Sequence, residues 1–298
     1  MPVISLSYIV ATYNRLLFLR VTLEKLINAL QQDEEIVVVD GGSTDGSKEY
    51  LQQLFADGKI QQFISEPDRN QAHAWNKAMM MARGTIIKKI IDDDVFCYEA
   101  IRECKNYMLQ KPEVDIVISN CLESSLTNYK SIQNSGRLRQ FEKWKNGQQP
   151  SFTFTDVHML VRKDSLSYIG LYNTGMAMMD WEYSLRASYL KANIVYYTGY
   201  NALSVAHHQT VTSFRNDKLI KLQGERIRGL YQYDGDQAEI SKWSKIKIYF
   251  GKLLKSGSVK SDAGKELTAS EINAAYTYYY QHISDINRSN GFEFLKKD

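Results

Sequence analysis

Residues 86–91 form an apolar run broken only by Lys88 and Lys89, and the run stops at three adjacent carboxylates, Asp92, Asp93 and Asp94. The run is short and rich in isoleucine, and Gly84 precedes it, so it reads as a buried strand. Its end places the acids at the C-terminal edge of a sheet, where open α/β sheets bind ligands. Three neighbouring acids repel one another unless a cation or hydrogen-bond donors neutralise them. Their hard oxygens suit Mg²⁺ or Mn²⁺ better than zinc. Solvated acidic turns are common, but the buried strand before this one favours a cation site. In extended chain Asp92 and Asp94 share a side and Asp93 points away, so not all three need be ligands.

The first hundred residues alternate between strand and helix patterns. Strands are expected over 5–11, 35–39, 60–65 and 86–91, and helices over 16–30, 47–55 and 70–82, with Gly84 as the C-cap of the third helix. The run 35–39 is continuous and β-branched, as in a sheet covered on both faces. The order implies an α/β fold with a doubly wound, mostly parallel sheet flanked by helices. A helix over 98–110 and a strand over 114–119 follow, and then the rhythm breaks. Later expectations are an amphipathic helix near 137–145, a strand over 155–161, a helix over 178–190, and short strands over 194–197 and 202–207. Helical patterns over 218–231, 240–254 and 270–286 make a C-terminal helical extension, with residues 255–261 as a linker.

At 298 residues the chain can bury a large core. Its 37 basic and 34 acidic residues give a net charge of +3, too balanced to argue for nucleic acid. The three cysteines, Cys97, Cys104 and Cys121, form no CxxC pair. They fit a reducing compartment and buried, inert thiols. No leader pattern and no apolar stretch long enough to span a bilayer is present, so a cytoplasmic protein is expected. The glycosylation sequon at Asn287 reads as chance on the same grounds.

Neither GxGxxG nor GxxxxGK[ST] follows the first strand, which removes the dinucleotide and P-loop fingerprints. Val10-Ala11-Thr12-Tyr13-Asn14-Arg15 stands there instead. After the second strand comes Asp40-Gly41-Gly42-Ser43-Thr44-Asp45-Gly46. Asp40 is an anion, better suited to accept from a base N–H or ribose hydroxyl than to bind phosphate. Asp45 reads as a helix N-cap.

These segments, together with Ser65-Glu66-Pro67-Asp68, Ala74-Trp75-Asn76-Lys77-Ala78 and Asp92-Asp93-Asp94, resemble the family 2 glycosyltransferases of the GT-A fold. Five motifs match in order over the first hundred residues, and weaker similarity runs to about residue 215. Two departures are Gly41, where many members carry an acid, and Asn70, where related sequences often have Gly. The resemblance implies a nucleotide-sugar donor (a UDP-sugar first among them), a divalent metal, Mn²⁺ or Mg²⁺, and inversion at the anomeric carbon. It implies that Thr12, Asp40, Asp68, Asp92, Asp93 and His207 contact the donor. Asp94, with Asp92 and His207, would meet the metal. Residues 1–215 would be the catalytic domain, with a nucleotide-sugar half over 1–96 and an acceptor half over 97–215. Residues 216–298 would be the extension.

Asp180, in Met179-Asp180-Trp181-Glu182, matches the helix that carries the family's catalytic base. At a helix start the dipole favours its charged form. Service as a base then calls for burial or neighbouring acids, and the alternative is a helix cap. Glu182 and Arg186 read as a surface i,i+4 pair. At most one of His207 and His208 can face the site, because neighbours on a strand point apart. His158, on an expected strand, would lie on the acceptor side, and His73 on the third helix carries no firmer role.

Residues 240–255 are basic, aromatic and amphipathic, which suits either peripheral contact with an anionic membrane or packing on the domain. Membrane contact would fit a lipid-linked acceptor, and a glycan is the other acceptor class, as in surface polysaccharide biosynthesis. The tyrosines of 276–280 read as helix packing, with a homo-oligomer contact as the alternative. The rival functions are a non-catalytic nucleotide-sugar or glycan-binding module and a sugar nucleotidylyltransferase. The second would need a glycine-rich, arginine-bearing loop after the first strand, and residues 11–15 lack the glycines.

Overall fold

The computed structural model describes residues 3–207, 217–235 and 268–296. A single sheet runs through them. Its strands in chain order are β1 (Leu6–Thr12), β2 (Glu34–Asp40), β3 (Gln62–Ser65), β4 (Ile86–Ile90), β5 (Val95–Phe96), β6 (Ile116–Ser125), β7 (Gln133–Asn134), β8 (Met159–Arg162), β9 (Ile194–Ala206) and β10 (Phe294–Leu295). The spatial order is β10-β9-β6-β8-β4-β1-β2-β3, with β5 paired to β9 and β7 to β6. The β4-β1-β2-β3 pairs are parallel, as is β6 with β9, while β8 lies antiparallel between β4 and β6. The central sheet is thus mostly parallel and flanked by helices, as the alternation predicts.

The sheet divides two cores, and the two-residue period of each strand sorts side chains between them. On β2, Ile36 and Val38 join one core and Val37 and Val39 the other. The first core is covered by α1 (Leu16–Ala29), α2 (Ser47–Ala56), α4 (Tyr98–Gln110) and a late helix over Ala269–Ser289. The second is covered by α3 (Gln71–Met81), α5 (Leu138–Lys145) and α7 (Met179–Tyr189). Short α6 (Leu166–Ile169) precedes α7, and α8 (Asp217–Leu230) packs through Ile227 near Leu185. The late helix is called α9. It starts sharply because Thr268 and Glu271 form a reciprocal capping box. Its buried stripe, Ile272, Ala275, Tyr276, Tyr279 and Ile283, has helical spacing. The tyrosine run therefore packs within the chain. Strand β10 then pairs with β9.

Three local expectations change. Gly84 is not the cap of α3, since that helix ends at Ala82. A Cβ at Gly84 would stand 2.6 Å from the Ser7 amide nitrogen, so close approach to β1 is what requires glycine. The segment 155–161 is a 3-10 turn over Asp156–His158 before β8, not one strand. His158 is consequently buried inside the fold, and burial lowers its pKa to about 3, so the ring is neutral. The two short strands expected over 194–207 are one strand, β9, which tolerates register shifts against β6 between Ser119 and Leu122. Asn287 holds Tyr200 through bonds to both its amide and its carbonyl, which is a structural use of that side chain. All three cysteines are free and buried. The basic helix expected over 240–254, the linker and His208 lie outside the described residues. No helix among the described residues is long and apolar enough to cross a membrane.

Candidate active site

Parallel pairing lines up three strand ends. Val10 pairs with Ile90, and Thr12 pairs with Asp40, so Thr12, Asp40 and the acids after β4 share one C-terminal edge. There Thr12 Oγ1 donates to Asp92 Oδ2 at 2.6 Å. After Ile90 the chain turns, with the Asp94 amide returning to the Ile91 carbonyl at 3.2 Å. It then enters β5, whose pairing with β9 brings Val205 beside the turn. The Val205 amide donates to Asp94 Oδ1 at 2.8 Å. The other oxygen of Asp94 makes no hydrogen bond among the described residues.

Asp93 points to a different set of partners. It forms an ion pair with Arg15, at the end of the β1 motif, and its Oδ2 lies 2.8 Å from His207 Nε2. The His207 ring stacks on Phe18 of α1, with centroids 4.6 Å apart. His207 therefore faces the acids, directly after β9. All three acids are buried. Burial, and then the charge of Asp93, push the pKa values of Asp92 and Asp94 above the usual carboxylate range. Burial works the same way on Asp93, but the His207 bond and the Arg15 charge hold its carboxyl below that range. The turn thus keeps two acids in need of a positive charge beside one already supplied.

Asp40 is fully buried and turned into its own loop. Its Oδ2 accepts from the Gly42 and Ser43 amides at 3.2 and 3.0 Å and from Ser65 Oγ at 2.6 Å. In this arrangement it braces the glycine loop between β2 and α2. Asp45 bridges two helix starts, accepting from Leu16 N and Ser47 N, while the N-cap position of α2 is Gly46 at φ 92°. Asp68 pairs with Lys77 at 2.7 Å and with His73 at 3.1 Å. A Cβ on Gly41 would stand 3.3 Å from the Tyr13 ring and 3.4 Å from Asp68 Oδ2, so these three residues lie side by side. Tyr13 is 60% exposed there.

Asp180 is the second residue of α7, half-buried, and the cap position belongs to Met178. Its charge acts on the phenol of Tyr172. Tyr172 donates to Asp156 at 2.8 Å, and Asp156 pairs with Lys89 at 2.5 Å. A polar chain therefore runs from the vicinity of α7 to β4, three residues before Asp92. Glu182 and Arg186 do pair, at 2.9 Å, but not on the surface. Glu182 is buried and also accepts from Tyr231 Oη at 2.6 Å, and Arg186 reaches the carbonyls of Ile169 and Leu171. His158, expected on the acceptor side, is instead enclosed near Thr155 and Asn201.

The structure adds residues to which the sequence assigned no role. Arg15 stood inside a quoted motif, and its place at the end of β1 was a usable signal. Lys89, Asp156 and Tyr172 come together only through the antiparallel insertion of β8. Among the described residues, no group of three or more His, Cys, Asp or Glu side chains is already arranged as a metal cage.

Comparison with known proteins adds independent findings. The sequence model described as "Glycosyl transferase family 2" matches residues 7–170. The glycosyltransferase GlyG of Streptococcus pneumoniae is 30% identical over 116 residues, which is 39% of this chain and 38% of that protein. A chondroitin synthase of Escherichia coli is 31% identical over 98 residues, covering 33% of this chain and 14% of that protein. The matched stretch thus spans well under half of either relative. Among solved structures, a mannosyltransferase of Pyrobaculum calidifontis in complex with GDP-Man and Mn²⁺ superposes with a TM-score of 0.58 at 15% identity. That match covers 94% of this chain and 84% of that one. S. aureus TarS 1-349 in complex with UDP-GlcNAc gives 0.56 at 14% identity, covering 96% and 92%. At these identities the likeness speaks for the GT-A fold.

Proposed function

Starting from the fact that the chain belongs to glycosyl transferase family 2, we propose that it is a glycosyltransferase that moves a sugar from a nucleotide-diphosphate sugar to an acceptor hydroxyl with inversion. The observation that carries this reading is the gathering of Thr12, Arg15, three buried acids and His207 at adjoining strand ends.

The donor set fits a divalent cation. Asp92 and Asp94 offer hard oxygens, His207 a nitrogen, and burial makes a compensating positive charge favourable at both acids. Asp94, Asp92 and His207 would hold the ion, and Mn²⁺ or Mg²⁺ is the matching class. When bound, it supplies Lewis-acid and electrostatic stabilisation of the departing diphosphate.

The chain's own residues do the rest. The neighbouring Tyr13, Gly41 and Asp68 receive the nucleoside, with the exposed Tyr13 ring as a flat apolar face for a base. Asp40 keeps the glycine loop in shape beneath it, and Thr12 fixes Asp92. Arg15, now held by Asp93, is placed to answer the negative charge of a diphosphate. Asp180 takes the proton from the acceptor hydroxyl, a service that typically contributes ~10²–10⁴-fold. Glu182 is unsuited to that task because Arg186 and Tyr231 occupy it. The acceptor is a glycan or lipid-linked hydroxyl of the kind used in polysaccharide assembly. Residues 1–215 form the catalytic unit in this reading.

Calorimetry with UDP and GDP, each with and without Mn²⁺, tests the donor half directly. Metal-dependent binding of one nucleotide is the expected result. Binding of neither would remove the proposal.

A further inference from the structure

The turn that carries the three acids is suspended by its backbone from two different helices. Thr22 of α1, fully buried, donates its hydroxyl to the Asp92 carbonyl at 2.8 Å. Tyr276 of α9 donates its hydroxyl to the Asp93 carbonyl at 2.5 Å, across 183 residues of sequence. That second carbonyl belongs to the peptide plane joining Asp93 to Asp94. Fixing it fixes the place of the Asp94 Cα from which the carboxylate leaves the backbone, because a peptide unit is rigid and planar. Tyr276 is 2% exposed. Its ring lies 6.3 Å from Phe18, which in turn stacks on His207. One residue of α9 thus sits behind both the acid turn and the imidazole that meets it.

We propose that α9 is a working part of the donor site, with Tyr276 as the positioning residue that holds the Asp93–Asp94 peptide for a metal-bound nucleoside diphosphate. The proposal rests on the donor reading above and adds to it a segment that lies beyond the matched family region of 7–170. Tyr276 touches no reacting atom and acts through Asp94 and, by way of Phe18, through His207. The physical reason for a hydroxyl here is specific. A buried carbonyl that loses its donor is left without compensation, and the turn would relax to recover one.

Tyr276→Phe keeps the ring and removes only the donor. Tyr279→Phe is the matched control, since Tyr279 is buried on the same helix and its hydroxyl, near Ser124, makes no hydrogen bond to the acid turn. Two readouts separate positioning from general support. Hydrogen exchange over residues 91–97 of the free protein should rise in Tyr276→Phe and not in Tyr279→Phe. Calorimetric affinity for UDP or GDP with Mn²⁺ should fall about tenfold, as loss of one buried hydrogen bond allows, while affinity for the same nucleotide without metal stays constant. In turnover, the donor KM should rise more than kcat falls. Unchanged exchange in the acid turn, or an equal loss in both variants, overturns the proposal. Loosening of the turn in a protein whose unmodified form binds neither nucleotide overturns the donor reading and the role in it, and leaves Tyr276 an anchor alone.

Discussion

Asn70 donates its side-chain amide to the Thr174 carbonyl at 2.7 Å, joining residues 104 positions apart. The same side chain caps α3 by accepting from the His73 amide at 3.1 Å. Six residues on, Asn76 holds both the amide and the carbonyl of Tyr172. From the other side, Gln223 of α8 holds Ala177 N and Gly175 O. The loop leading into Asp180 is therefore gripped between the helix that follows the Asp68 motif and α8. A base presented by such a loop keeps its place without help from bound substrate, which is the preorganisation that general-base catalysis needs.

Asp180→Asn should accordingly separate binding from chemistry. Donor affinity stays near normal, and transfer to the acceptor falls on the order of 10²-fold or more, as loss of a general base does. A variant that transfers sugar at the original rate places the base elsewhere.

Asp94→Asn tests the cation site. One Asp94 oxygen is spent on the Val205 amide, and asparagine can still satisfy that donor, so the fold should persist. Mn²⁺-dependent nucleotide binding should drop by at least the ~100-fold that losing even an outer-shell partner can cost. Equal affinity with and without metal in the unmodified protein would contradict this.

Arg186→Met should act on stability alone. It strips the buried Glu182 of its cation and leaves the Ile169 and Leu171 carbonyls without a donor. Breaking a buried pair from one side costs about 3–5 kcal/mol. Denaturant titration should show the midpoint falling. A midpoint unchanged within error would mean that the pair is not enclosed as described.

Lys88 gives a pH signature. It is wholly buried, donating to the Val157 carbonyl and to Asn201 Oδ1, and burial lowers its pKa from 10.5 to about 7. Between those values the unfolded chain binds more protons than the folded one. Stability should therefore rise with pH from about 7 towards 10, by an amount on the order of a few kcal/mol. Lys88→Met should flatten that slope when melting is compared across the range. A slope identical in both proteins would show that Lys88 stays charged inside the fold.

The parallel half of the sheet was legible because each of its strands carries a short cluster of apolar residues and is followed by its own turn chemistry. Asp92, Asp93 and Asp94 could be placed at a sheet edge because an isoleucine run ends on them. Pairing partners were not legible in the same way. Nothing local marks Met159–Arg162 as the antiparallel strand between β4 and β6, and that insertion is what buries His158 and brings Asp156 to Lys89. Gly84 was misassigned because a glycine after a helix has two causes, a left-handed cap or a crowded neighbour, and only the position of Ser7 distinguishes them. Glu182 and Arg186 were spaced as a surface pair, and spacing carries no information about what later covers them. Tyr276 had no signal at all, since its partner is a backbone carbonyl far away in the chain.

The 183 residues between Asp93 and Tyr276 also set an order of events during synthesis. At about 5–20 residues per second a ribosome takes roughly 10–40 s to add that stretch. Strands β1 to β4 and the helices between them are complete before it begins, and they can pair as soon as they emerge. The acid turn then waits for a tether made 183 positions later. A nascent chain would carry a formed sheet edge well before the acid turn had its second support.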